Sequence, residues 1–154
     1  MVIKCRVTSD RRIEVEGYLV CQALRIKGPV IFVVDTGSSV TSIGHKDAMG
    51  MKIRVRELRS SPEKVAGIGG FAVSYELSDV DIIVRDGDEF FCHLRTVFYH
   101  KPSIKKKVKT KGPMRYESES VSASPSILGM DAISAMRLVL ETDGETYAIL
   151  RPRK

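Results

Sequence analysis

Apolar and charged residues alternate with a period of two along much of this 154-residue chain, and such a pattern folds as sheet. Ile13-Glu14-Val15-Glu16 and Met51-Lys52-Ile53-Arg54-Val55-Arg56 show it most plainly. The alternation predicts strands over residues 2–7, 12–21 and 51–58, with 22–26 also extended up to a turn at Gly28-Pro29. Residues 29–35 form a continuous apolar run, the pattern of a strand buried on both faces. Ser60-Ser61-Pro62 breaks the pattern before a hairpin over 65–77, tipped by a glycine cluster. A second hairpin, 79–84 with 89–99, turns through Arg85-Asp86-Gly87-Asp88. A last one, 138–141 with 147–151, turns around Asp143-Gly144. Helical spacing is confined to one turn at 46–50 and to 130–137, where Ile133, Met136 and Arg137 share a face. The expected architecture is a mostly β single domain over 1–154 with one short C-terminal helix.

Composition narrows the function classes. Hydrophobic residues make up 43% and charged residues 29%, which suits a water-soluble core-forming chain. No apolar run reaches the roughly 20 residues that span a bilayer, and no signal-peptide apolar region opens the sequence. Cys5, Cys21 and Cys92 are odd in number and widely spaced, the pattern of reduced thiols in a cytoplasmic protein. The net charge of +6 is concentrated: Lys101, Lys105, Lys106, Lys107, Lys109, Lys111 and Arg115 fall in one stretch, read as a solvated basic loop inserted at about 101–125. It has almost no aromatic residues interleaved for bases to stack on, so nucleic acid is not an expected partner.

The candidate chemistry sits where the run Ile31-Phe32-Val33-Val34 ends on Asp35-Thr36-Gly37-Ser38. An apolar strand there delivers a carboxylate to a tight turn. Two carboxyl groups about 3 Å apart cannot both ionise, so a pair can share one proton, activate a water and polarise a peptide carbonyl. Thr36 can lock the turn, Gly37 admits backbone to the centre, and a Ser38 hydroxyl bonded to the carboxylate would favour its ionised form and activity at mildly acidic pH. Only one Asp-Thr-Gly is present, so a second aspartate has to come from another copy of the chain.

Two further segments keep company with that turn. Gly67-Ile68-Gly69-Gly70-Phe71 tips the first long hairpin, and Ile127-Leu128-Gly129 precedes the helix. Together the three resemble, in order, the retropepsin family, the homodimeric aspartic proteases of retroviruses and their cellular and prokaryotic relatives. The resemblance implies a closed, barrel-like acid-protease fold and an aspartic endopeptidase without metal or cofactor. It implies Asp35 as catalytic acid and base, paired with its copy, and Thr36, Gly37 and Ser38 as the active-site loop. Ala66, Gly67, Ile68, Gly69 and Gly70 would form a mobile flap over an extended polypeptide substrate, and Ile127 would line a side-chain pocket. The match has departures. Met130-Asp131 follows Gly129 where retroviral members commonly carry an arginine, and the chain continues past its helix into a hairpin whose strands are expected to pair across the dimer axis.

Other chemistries find no footing. His45, His93 and His100 lack metal-ligand spacing, Ser38-Ser39 lacks a nucleophile elbow, and no Gly-Lys-Ser/Thr follows the glycine cluster. A second class stays open: the same fold retained as an inactive dimerisation or peptide-binding module. A third is a basic nucleic-acid adaptor acting through residues 101–111.

Overall fold

The structure, a computed structural model, describes residues 1–67, 70–102, 106–108, 115–117 and 124–154, with side chains described for 1–60, 73–101 and 124–154. Its centre is a closed barrel of six strands: β3 (Ile13–Cys21), β4 (Ile26–Val34), β11 (Ser126–Leu128), β5 (Ser42–Ile43), β8 (Asp88–Pro102) and β7 (Gly70–Asp86). They pair in that order, and β7 returns to β3 through Gly17–Val84 to Val20–Asp81. Two strands extend the sheet outside this ring: β2 (Arg6–Val7) on β3 and β6 (Arg59–Gly67) on β7. The expected mostly β, closed-barrel architecture is therefore what forms.

Alternation decides the core. Val15, Leu19 and Cys21 of β3 and Ile26, Val30, Phe32 and Val34 of β4 point inward and are buried. The run at 29–35 is not buried on both faces, because Ile31 is 49% exposed between buried neighbours. Several expected boundaries also move. Gly28-Pro29 makes no turn but lies inside β4, where Pro29 faces Tyr18 and the other side of the strand is still unpaired. The reversal falls earlier, in a 3-10 turn at Gln22–Leu24 closed by Arg25 in the left-handed region. Residues 51–58 form no strand; Lys52 takes positive φ, and Met51 and Ile53 plug the core from an irregular segment ending in a 3-10 turn at Val55–Glu57. Their period-two burial came without a ladder. Pro62 interrupts no strand but sits in the register shift between Ser60 and Lys64, where a missing N–H is tolerated.

The expected break near residue 78 is a change of phase within one 17-residue strand. Inward positions in β7 run Leu77, then Val80, Ile82 and Val84, and β8 shifts in step, with Cys92 and Leu94, then Val97 and Tyr99. The two strands keep one register through this shift, from Ala72–Pro102 to Asp86–Asp88, while Asp79 takes φ 56°. The expected turn at Gly87 joins them.

A smaller sheet of β1 (Ile3–Lys4), β13 (Ala148–Pro152) and β12 (Leu138–Thr142), in that order, closes one side. Ile3, Leu138 and Leu150 carry its apolar face into the same core cluster as the barrel. Residues 2–7 are thus two short strands in two sheets. Among the described residues there are two short α-helices, not one: α1 (His45–Gly50) and α2 (Met130–Ala135). No helix there is long and apolar enough to cross a membrane. Of the basic stretch at 101–125, β8 takes its first two residues, and β9 (Lys106–Val108) pairs with β10 (Arg115–Glu117). The rest of that expectation, up to residue 123, lies outside the described residues.

Candidate active site

Asp35 is the first residue beyond β4, and the barrel holds it from the neighbouring strand. β11 is inserted parallel to β4, with Ile127 beside Val33 and Leu128 beside Val34, and the Asp35 amide continues that ladder to the Leu128 carbonyl at 3.1 Å. The turn then closes on itself. The Asp35 carboxylate Oδ1 accepts the Gly37 amide at 2.9 Å, and the Ser38 amide donates to the Asp35 carbonyl at 3.2 Å. A Cβ at position 37 would stand 3.2 Å from that carboxylate oxygen, so a glycine keeps the approach to it open. Asp35, Thr36 and Gly37 are all exposed.

Ser38 does not serve the carboxylate as expected. Its hydroxyl donates to the Val40 carbonyl at 2.8 Å, and its own carbonyl accepts the Met130 amide at 2.8 Å. Ser38 instead ties the loop to the next bend and to α2. The case for an acidic preference made from this hydroxyl falls with it.

Beneath the loop lies a clamp that spacing did not reveal. Thr41 is wholly buried; its amide donates to Asp131 Oδ2 at 3.0 Å and its hydroxyl to Asp131 Oδ1 at 2.6 Å. That hydroxyl also accepts the Gly129 amide at 3.1 Å. Contact here is so close that a Cβ on Gly129 would fall 2.3 Å from the Val40 carbonyl oxygen. A parallel tie links buried Ser126 to Asp47 at 2.5 Å and to the Gly44 amide at 2.9 Å. The one sequence signal for the clamp was Asp131 in the first turn of α2, directly after Gly129 and Met130.

Ile127 is half-buried and lies on the face of the sheet shared with Val33, opposite the core-facing Ser126 and Leu128. The hairpin of β6 and β7 pairs through Ala66–Phe71 to Gly67–Gly70. Ile68 and Gly69 lie outside the described residues. Thr36 borders a groove of about 750 Å³ with Met130 and Ile133 of α2 and Leu138, Val139 and Leu140 of β12.

The cysteines take no part. All are free thiols, and burial pushes Cys5 up to about 11 and Cys92 up to about 12, so both stay protonated and unreactive at neutral pH.

No protein-family model and no curated protein matches the sequence. Among solved structures, a retropepsin-like aspartic protease from Rickettsia conorii matches over 97% of this chain and 89% of that one, with a TM-score of 0.50 and 16% identity. The fold is retropepsin-like. At that identity the likeness concerns the architecture alone.

Proposed function

We propose that the chain is an aspartic endopeptidase whose active centre is assembled from two copies, one Asp35 from each facing the other across a two-fold axis. The carrying observation is an exposed Asp35 carboxylate, held by the Gly37 amide on a turn braced from three sides, in a chain with a single Asp-Thr-Gly. In such a pair the ionised member takes a proton from the water between them as it attacks the peptide carbonyl. The neutral member donates to the carbonyl oxygen, and the tetrahedral intermediate collapses with a proton passed to the leaving amine. Thr36 would bond across the axis, and the Gly37 carbonyl would accept a substrate amide. Ala66, Gly67, Ile68, Gly69 and Gly70 would close over an extended polypeptide, with Ile127 against one of its side chains.

The two edges of the small sheet favour one mode of dimerisation. The β1 edge is already occupied: the Val2 amide donates to Asp88 at 3.2 Å and the Lys4 amide to Asp86 at 3.0 Å. The β12 edge has no strand beside it among the described residues, and it borders the groove that holds Thr36. A second copy would therefore pair along β12, rather than interleave chain ends, and bring the two Asp35 turns together.

The competing reading is a non-catalytic module with the same pairing. Asp35→Asn separates them: it should reduce cleavage of a peptide library by at least about 1,000-fold, the scale of losing an acid–base group, with the dimer intact by sedimentation. A wild-type dimer that neither cleaves nor binds a statine-type transition-state analogue would establish the module. Cleavage that survives Asp35→Asn would refute the assignment.

A further inference from the structure

A second recess shares no lining residue with the Asp35 turn or the groove beside it. It lies where α1, the irregular segment after it and the end of β8 meet, and encloses about 440 Å³. One side is apolar, made by Met49, Ile53 and Val55; the rim carries Arg54, Arg56 and Lys101. Met49 is 62% exposed, a large apolar side chain left in water among cations. Among the described residues no carboxylate lines the recess. Arg54 meets Glu57 only at 3.9 Å between exposed side chains, a contact worth little. Asp47 of α1 is engaged elsewhere, by the Ser126 hydroxyl.

The back wall is aromatic. The His45 and Tyr99 rings lie parallel within 3°, with His45 Nδ1 2.6 Å from the Tyr99 hydroxyl. Tyr99 is only 1% exposed, so its ring offers no face to a nucleobase. Cations spaced around an apolar strip instead match a polypeptide in which carboxylates and apolar side chains intermix. In sequence, Lys101 opens the lysine-rich stretch, so charge of the same sign continues from this rim along the chain.

We propose that this groove docks an acidic polypeptide segment carrying interspersed apolar residues, contributed by a partner protein. The binding is separate from hydrolysis and does not depend on the protease reading.

The test uses the full chain and fluorescence anisotropy with a labelled peptide of repeating Glu-Leu-Glu, at about 0.15 M salt so that loose charge attraction is screened. Comparators are an all-Glu peptide of equal charge and single-stranded oligothymidine. The Glu-Leu-Glu peptide should bind, Arg54→Glu/Arg56→Glu should weaken it by about tenfold or more, and Met49→Ser by a few-fold, as losses of charged and apolar contacts do. If circular dichroism shows the double variant misfolded, Lys101→Glu and Met49→Ser carry the test, since both alter exposed side chains. Binding unaffected by the groove variants would assign it to the lysine-rich stretch and overturn the proposal. Equal affinity for all-Glu would reduce it to generic charge, and tighter, competing oligothymidine binding would make the surface one for nucleic acid; either result overturns it too.

Discussion

Three hydrogen bonds converge on Asp131, from the Thr41 amide, the Thr41 hydroxyl and the Ala132 amide. Through Thr41 they reach Gly129, so one carboxylate fixes the bend after the Asp35 turn against the start of α2. Thr41→Val keeps the shape but leaves the Gly129 amide without its partner and strips a donor from Asp131. The expected loss is about 1–3 kcal/mol, the cost of stranding buried polar groups, seen as a lower urea midpoint with an unchanged m-value. An unshifted midpoint would mean that water or a rotated carboxylate replaces the hydroxyl. Asp131→Asn should cost at least as much, because its NH2 group, whichever oxygen position it takes, faces a backbone N–H that the carboxylate accepted.

At the level of elements, the β12 edge and the β7–β8 ribbon each make a separate demand. Val139 is half-buried on β12 and lines the groove beside Thr36. Val139→Lys places a charge on the edge proposed for pairing, which natural edge strands use to prevent association. Sedimentation should show a monomer with unchanged circular dichroism; a dimer of wild-type affinity would exclude this edge. On the ribbon, His93 bridges Asp81 at 2.7 Å and Asp79 at 3.3 Å. Hydrogen bonds donated by the ring to these two carboxylates raise the pKa of His93 above its ordinary 6.5. A raised value means that the stability His93 contributes is full below pH 6.5 and is lost as pH rises through the folded value. Thermal unfolding of His93→Gln should therefore trail wild type more at pH 5.5 than at pH 9. A gap independent of pH would show that the imidazole acts only as a neutral hydrogen-bonding group.

For the whole molecule, the proposed division of the active centre between two copies would make activity a function of concentration. Specific activity should fall on dilution below the dimer dissociation constant and recover when a transition-state analogue, which binds only the pair, is present during dilution and then removed. Specific activity constant down to concentrations where sedimentation finds only monomer would require both catalytic groups within one chain.

Much was legible from the amino-acid order alone, because side-chain alternation is a local property of the backbone. It revealed the four long strands of the barrel but neither β5 nor β11, along with the turns at Gly87 and Gly144, the hairpin bearing Gly67 and Gly70, and the carboxylate at the end of β4. It misplaced Gly28-Pro29 and residues 51–58, where burial was set by what packs on the segment rather than by its own pattern. Folding alone decided the rest. Thr41 and Asp131 lie 90 positions apart and meet only once β11 is threaded beside β4. Which edge of the small sheet stays open depends on Asp86 and Asp88 reaching the first residues of the chain. Such contacts join residues distant in sequence, and no local periodicity encodes them.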